Sequence, residues 1–170
     1  MTGAEGRPSK IVSGGQTGAD RAALDVARAW GLEYGGWVPA GRRAEDGRLP
    51  ESYAGLRETS SERTDERTRL NVQHSDGTLI VSHGPLTGGS RLTKKLAIAM
   101  GKPWLHVDLH QVALADALGL AEAWLARHAI ATLNVAGPRA SEDAAIYSAA
   151  AAVVGGILAR GRASHGPVPE

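Results

Sequence analysis

Residues 10–20 read Lys-Ile-Val-Ser-Gly-Gly-Gln-Thr-Gly-Ala-Asp, and the order of residue types in this run decides the fold. The β-branched Ile11 and Val12 open a short strand at 11–13, Gly14 and Gly15 turn the chain, and a helical pattern begins at Thr17 or Gly18. Strand, glycine turn and helix, in that order, build a corner at which a helix N-terminus offers unpaired N–H donors and the positive end of its dipole. Phosphate suits such a corner. The plainer alternative is a tight joint between a strand and a helix.

Outward from this run the chain alternates. The helix expected at about 17–30 repeats Ala19, Ala23, Val26 and Trp30 at helical spacing and stops at Gly31. A short strand at 34–38 ends at Pro39, and the apolar run at 77–82 suits a buried parallel strand. The next helix carries Leu92, Leu96 and Met100 on one face and is ended by Gly101 and Pro103. Strands at 103–107 and 131–136 follow, with helices at about 111–128 and 142–160, the last with Ser141 as its N-cap. The expected fold is therefore a three-layer Rossmann-like α/β sandwich with a mainly parallel, five-stranded sheet. It forms a single domain over 10–160, flanked by loose Gly-, Pro- and Ser-rich tails at 1–9 and 161–170.

Composition excludes several functions. With 170 residues the chain can bury a real core, and with a net charge of +1 it has no broad field to draw it to nucleic acid or a membrane. The absence of cysteine removes disulfides, thiolate zinc sites and cysteine nucleophiles. No apolar run approaches the roughly 20 residues of a membrane span, and the first nine residues lack the apolar core of a secretory signal. A soluble cytoplasmic protein is expected. The 22 glycines cluster at strand-to-helix junctions, where they serve as turn chemistry.

One segment departs from the pattern. Residues 42–69 hold seven Arg and seven Asp or Glu, with a helical stripe only at 62–71. A solvated surface excursion is the plain reading, and a lid or binding loop is the functional one. Arg42 and Arg43 are expected at the surface.

Three strands end in the same grammar: Gly14-Gly15-Gln16-Thr17-Gly18, Gly84-Pro85-Leu86-Thr87-Gly88-Gly89-Ser90, and Ala136-Gly137-Pro138-Arg139-Ala140-Ser141. All follow the carboxyl end of a strand, the edge at which open α/β sheets bind ligands. Each loop supplies backbone donors, Thr17, Ser90 and Ser141 add hydroxyls, and Arg139 adds a cation. The spacing matches neither the dinucleotide fingerprint nor the P-loop. Asp20 stands in a first helical turn, where an acid is favourable for the dipole alone or serves as a ligand contact, to a ribose or a metal. Asp25 is expected to pair with Arg21 or Arg28 on the helix surface. His74, His83, His106, His110 and His128 lack metal-ligand spacing, so no metal site is expected. Tyr53 and Tyr147 are candidates to cover a ligand, and the tryptophans read as core or interface.

These loops, with Arg-Arg-Ala-Glu-Asp-Gly at 42–47, Glu58-Thr59, Arg67-Thr68, Asn71-Val72, Ser75-Asp76-Gly77 and Leu-Asn-Val-Ala-Gly-Pro-Arg at 133–139, resemble a family whose members carry the label molybdenum carrier. This is the circularly permuted YpsA-like branch of the SLOG superfamily, which also holds the Lonely Guy phosphoribohydrolases. The resemblance covers residues 10–147 and implies a Rossmann-like fold permuted relative to Lonely Guy-type proteins. It implies that the last strand, at 133–136, lies in the centre of the sheet between those at 11–13 and 78–82. It also adds Arg67, Asn71 and Asp76 to the candidate ligand contacts and favours a homo-oligomer.

The chain departs from the phosphoribohydrolase pattern at three places. Aligned on Pro85, Ser90 replaces a threonine, Thr93 takes the position of the glutamate, and Thr68 stands where lysine follows the arginine. A threonine neither stabilises an oxocarbenium-like charge as a carboxylate does nor acts as a base near neutral pH. Asp20, Glu45, Asp46, Glu58 and Asp76 are the acids available instead, and no catalytic residue is assigned. The expected ligand contacts are thus Gly14, Gly15, Gln16, Thr17, Gly18, Asp20, Arg67, Asn71, Asp76, Gly88, Gly89, Ser90, Thr93, Gly137, Pro138, Arg139 and Ser141. The expected function is binding of a phosphorylated, nucleotide-like small molecule. The family label implies molybdenum cofactor, whose pterin bears a phosphate, as one such ligand. The rival is a nucleotide N-glycosidic-bond hydrolase that draws its acid and base from residues 42–76, and a nucleotide-sensing module would share the same pocket.

Overall fold

The computed structural model describes residues 6–163. In chain order the elements are β1 (Lys10–Val12), α1 (Ala19–Ala29), β2 (Glu33–Val38), β3 (Arg43–Ala44), β4 (Gly47–Arg48), β5 (Leu56–Glu58), α2 (Thr64–Gln73), β6 (Gly77–Ser82), α3 (Gly88–Ala99), β7 (Trp104–Asp108), α4 (Leu114–Arg127), β8 (Thr132–Ala136) and α5 (Ile146–Ala163). Of the expected tails, residues 1–5 and 164–170 lie outside the described residues. Within them, Ser9 N donates to Ala131 O at 2.9 Å, and α5 runs on to Ala163.

Six strands form one sheet in the order β5-β2-β1-β8-β6-β7, every pair of it parallel. The expected sheet had five. The sixth, β5, lies inside the charged segment and pairs Gly36 with Leu56 and Val38 with Glu58. Arg57 and Glu58 are exposed at the sheet edge, so the strand carries no alternation of apolar and polar residues to announce it. A separate antiparallel pair, β3 with β4, forms a small hairpin.

β8 is last in sequence but central in space. Leu133 stands beside Ile11 on one side and Gly77 on the other. The permutation implied by the sequence is therefore present. β6 is buried at all six positions, consistent with a central parallel strand. Helices α1, α4 and α5 pack on one face of the sheet and α2 and α3 on the other. Leu79, Val81, Leu133 and Val135 share the principal core with Ala22, Ala23, Val153 and Ile157 of the first layer. Each large aliphatic chain buried there contributes about 1.5–3 kcal/mol. Small residues on α1 and α5 let the two helices approach closely without any phenylalanine. Among the described residues no helix is long and apolar enough to cross a membrane.

Two of the expected boundaries that move bear on the glycine loops. α1 starts at Ala19, after Gly18, because Gly18 takes φ 79° and ψ −127°, a region closed to residues with a Cβ. α5 starts at Ile146 and not at 142, so Ser141 is not its N-cap. A Cβ on Gly18 would also lie 2.4 Å from Pro138 O. The first and third glycine loops are thus in backbone contact. Replacing Gly18 with alanine is expected to cost about 3 kcal/mol, combining strain with the clash. Urea unfolding with an unchanged slope checks this. A loss below about 1 kcal/mol would mean that the two loops are not rigidly apposed.

Candidate functional site

Because the strands are parallel, the loops after β1, β6 and β8 emerge on one edge. Between them lies a cleft of about 280 Å³. Gly14 and residues 134–137 form its floor, Thr64, Arg67, Thr68 and Asn71 of α2 one wall, and Gly88, Gly89, Ser90 and Thr93 of α3 the facing wall. Gln16, Asp20, Arg139 and Glu142 complete it.

The floor rests on a buried ion pair. Arg67 Nη1 donates to Gly14 O at 2.7 Å and to Asp20 Oδ2 at 3.1 Å. The two side chains are only 10% and 11% exposed. Gly14 is required here, since a Cβ on it would sit 1.8 Å from Arg67 Nη1. Gln16 N gives Asp20 a second donor at 3.3 Å. Burial pushes the Asp20 carboxyl up; Arg67 and the Gln16 amide oppose that shift without cancelling it. Arg67 Nε is buried with no hydrogen-bond partner.

The three loops use their donors differently. In the first, Gly15 N donates to Ser13 Oγ, Thr17 N to Gln16 Oε1 and Ala19 N to Pro138 O. A Cβ on Gly15 would meet Leu49 Cδ1 at 2.7 Å, so that glycine faces protein and not the cleft. In the third loop, Ala140 N donates to Thr17 Oγ1 and Ser141 N to Glu45 Oε1. The second loop is open. Thr87 caps α3 without a side-chain bond, and the first helical bond runs from Arg91 N to Thr87 O at 3.3 Å. The amides of Gly88, Gly89 and Ser90 precede that bond and lie on the wall of the cleft. A Cβ on Gly89 would meet nothing within 4 Å.

Eleven of the expected contacts therefore line one cleft: Gly14, Gln16, Asp20, Arg67, Asn71, Gly88, Gly89, Ser90, Thr93, Gly137 and Arg139. Gly15, Thr17, Gly18, Pro138 and Ser141 stand behind it in the loops. Asp76 is at the opposite edge of the sheet, where its carboxylate accepts from Ala131 N and Thr132 N at 3.1 and 2.8 Å. It is a strand-end brace. Asn71 lines the cleft, but its amide is committed to Trp37, accepting from N at 2.8 Å and donating to O at 3.0 Å. Thr64, Thr68, Asn134 and Glu142 line the cleft without having been expected there. Asn134 was detectable, as a polar residue alternating with Leu133 and Val135 in a buried strand; it donates to Thr78 Oγ1 at 3.2 Å.

Four other expectations are corrected. Arg42 is buried, donating to the carbonyls of Leu49, Pro50 and Tyr53, because the chain turns around it. Asp25 pairs with neither Arg21 nor Arg28; it accepts from Tyr53 and Tyr147 at 2.6 Å each. The two tyrosines are thereby held away from the cleft lining, and the bond to Asp25 pushes the Tyr147 phenol up to about 12. Among the acids of 42–76 none lines the cleft; Glu58, for example, accepts from Gly41 N at 2.8 Å.

Glu45 and Asp46, at the tip of the β3–β4 hairpin, reach over the first and third loops. Glu45 accepts from Thr17 Oγ1, from Ser141 N at 3.0 Å and from Ser141 Oγ at 2.6 Å. Arg21 holds Asp46 with two bonds of 3.0 and 3.1 Å. The Ser141 and Thr17 hydroxyls hold the Glu45 carboxyl below its ordinary value, and Arg21 does the same for Asp46.

Residues 11–158 match the model of the circularly permutated YpsA SLOG family. The fold is similar to a crystal structure from Syntrophus aciditrophicus SB named "Putative molybdenum carrier protein", with 50% identity and a TM-score of 0.89 over 91% of this chain and 97% of that one. A search of curated proteins gives no match.

Two outcomes follow from this geometry. Asp20→Ala leaves a guanidinium buried and unpaired and is expected to cost about 3–5 kcal/mol, as is Arg67→Met. The double variant should lose at least about 1 kcal/mol less than the two added together, and simple additivity in urea unfolding would show that the pair does not act as a unit. For the hairpin, carboxyls held low give bonds that are complete above the ordinary glutamate value of 4.5 and are lost as pH falls through the depressed values. Amide exchange at 43–48, corrected for intrinsic rates, should accelerate in that acid range while β6 stays protected.

Proposed function

From a chain that belongs to the circularly permutated YpsA SLOG family, we infer a protein that binds a phosphorylated, nucleotide-like small molecule in this cleft. The observation that carries the reading is the second loop. Three amides at the start of α3 meet no acceptor of their own helix, the helix dipole adds its positive end, and the position of Gly89 is open. A phosphate placed there has room and donors. Thr93 Oγ1 is spent on Gly89 O at 2.9 Å, which holds this first turn in shape.

The floor and the α2 wall suit the remainder of such a ligand. Asn134, Thr64 and Thr68 offer neutral polar groups, and Glu142 and Arg139 pair at 2.8 Å on the rim. Asp20 offsets part of the Arg67 charge beneath the cleft, and the open amides of α3 offer an anion donors that do not depend on that pair.

The Syntrophus protein is named for carrying molybdenum, and molybdenum cofactor, whose pterin bears a phosphate, is one candidate cargo for this cleft. The donor set fits its phosphate better than its metal. The sequence has no cysteine, and among the described residues no group of three or more His, Asp or Glu is placed to hold a metal ion. The hydrolase reading needed an acid and a base from 42–76, and those acids stand elsewhere.

The test is a panel of nucleoside monophosphates, NAD-derived nucleotides and molybdopterin, read by melting temperature and by product analysis. A true ligand at 100 times its Kd should stabilise the fold by about 2.7 kcal/mol, a rise of about 5 °C or more. Gly89→Asp places a carboxylate where the phosphate would sit and meets no steric obstacle, so it should abolish the shift while leaving the unliganded melting point near wild type. Release of free base would turn the reading toward hydrolysis. Absence of any shift across the panel, with Gly89→Asp indistinguishable from wild type, would sink it.

A further inference from the structure

We propose that Glu45 is an internal stand-in for a second anionic group of the ligand, and that the 43–48 hairpin is a strap that opens when that group takes its place. This deepens the cleft reading above and rests on it for the ligand, which would then carry two anionic groups, as a diphosphate does.

The site that Glu45 occupies is arranged for an anion. Around its carboxylate converge the Ser141 amide at 3.0 Å, the Ser141 hydroxyl at 2.6 Å and the Thr17 hydroxyl, with Arg139 Nη1 at 3.8 Å. Thr17 is itself oriented by Ala140 N, which donates to its oxygen at 3.1 Å. These donors come from two loops that the sheet brings together whether or not the hairpin is present. Nothing in the core requires a carboxylate there.

The hairpin is built to let go at its tip and hold at its base. Its strands are two residues each, too short to be stable alone. Leu49 is fully buried against Leu24, Val38 and Tyr53, and Arg42 is buried with three carbonyl partners, so the base stays fixed. The tip, in contrast, is held by polar contacts: Glu45 with the Thr17 and Ser141 donors, Glu45 N with Gln16 Oε1 at 2.9 Å, and the half-exposed Asp46 with Arg21. None of these contacts involves the base, so the tip can leave without disturbing Leu49 or Arg42. A phosphate competes for the Glu45 donors with more charge and more acceptor oxygens than the carboxylate it replaces.

The Glu45 site is also joined to the cleft. Arg139 faces Glu45 with Nη1 and Glu142 with Nε, at 2.8 Å. Glu142 Oε1 in turn stands 4.0 Å from where a Cβ on Gly88 would be. One guanidinium and one carboxylate thus separate the Glu45 site from the start of α3. The two anionic groups of such a ligand would lie on either side of this bridge, one at Gly88–Ser90 and the other in place of Glu45. Gln16 belongs to both regions, lining the cleft and holding the Glu45 amide.

The experiment uses inorganic pyrophosphate as the probe on the full chain, with affinity read by calorimetry. Glu45→Ala should bind it at least 10-fold more tightly than wild type, Glu45→Gln should fall between, and Ser141→Ala in the Glu45→Ala background should reverse the gain. In wild type, saturating pyrophosphate should speed amide exchange at 43–48. Equal or weaker binding by both Glu45 variants, a gain indifferent to Ser141, or no binding by any variant overturns the strap. Gly89→Asp in the Glu45→Ala background separates the two readings. If it alone removes binding and no Glu45-dependent gain exists, the cleft stands and the strap falls. If it changes nothing while the Ser141-dependent gain persists, the strap stands and the phosphate position at α3 falls.

Discussion

The buried pair of Asp20 and Arg67 is the constraint on which the site depends. Taking both charges out of water is costly, and their mutual attraction repays it only with good geometry. That geometry explains several residues at once. Gly14 must lack a side chain for the guanidinium to cross it, Gln16 must turn its amide back to Asp20, and α2 must sit where Arg67 can reach the end of β1. The pair links the first glycine loop, the first turn of α1 and the middle of α2, which are distant in sequence. It also sets part of the Arg67 charge against Asp20 at the floor of the cleft, beside the open amides of α3.

The sheet order gives this pair its setting. With β8 inserted between β1 and β6, the three glycine loops follow neighbouring strands and open on one edge. Alternation along β8 then divides its residues between two environments. Leu133 and Val135 enter the core with α1 and α5, and Asn134 turns toward α2 and α3, where it contributes a polar floor. A strand that is last in the chain thereby carries the centre of both the core and the site.

Much of this was legible from residue types. The apolar run at 77–82 and the punctuation by glycine and proline placed the central strands and the helices between them, because burial and turn chemistry leave strong local marks. The permuted position of β8 came from resemblance, since no local property of residues 133–136 says which strands flank them. β5 was invisible because an exposed edge strand of three residues, Leu56–Glu58, has no pattern to show. Arg42 was misread for a related reason. Its burial is created by carbonyls seven to eleven positions away, which no reading of a charged run can foresee. Asp76 was drawn into the site by its motif, yet at the start of β6 it can only meet the amides of the neighbouring strand.

The repeated glycine turn is where sequence grammar and chemistry part. The same strand–glycine–helix order occurs three times, and each occurrence spends its freedom on something different. At 14–18 the glycines admit Arg67, Leu49 and Pro138, and the amides of Gly15, Gln16 and Thr17 are bonded within the chain. At 137–141 the single glycine admits the end of β6, and the amides of Ala140 and Ser141 meet Thr17 and Glu45. Only at 88–90 do open space and unpaired amides coincide. A glycine marks a place where something comes close to the backbone. Whether that thing is a ligand or the protein itself depends on what stands opposite, and here two of the three positions are already filled by the chain's own arginine, leucine and carboxylate.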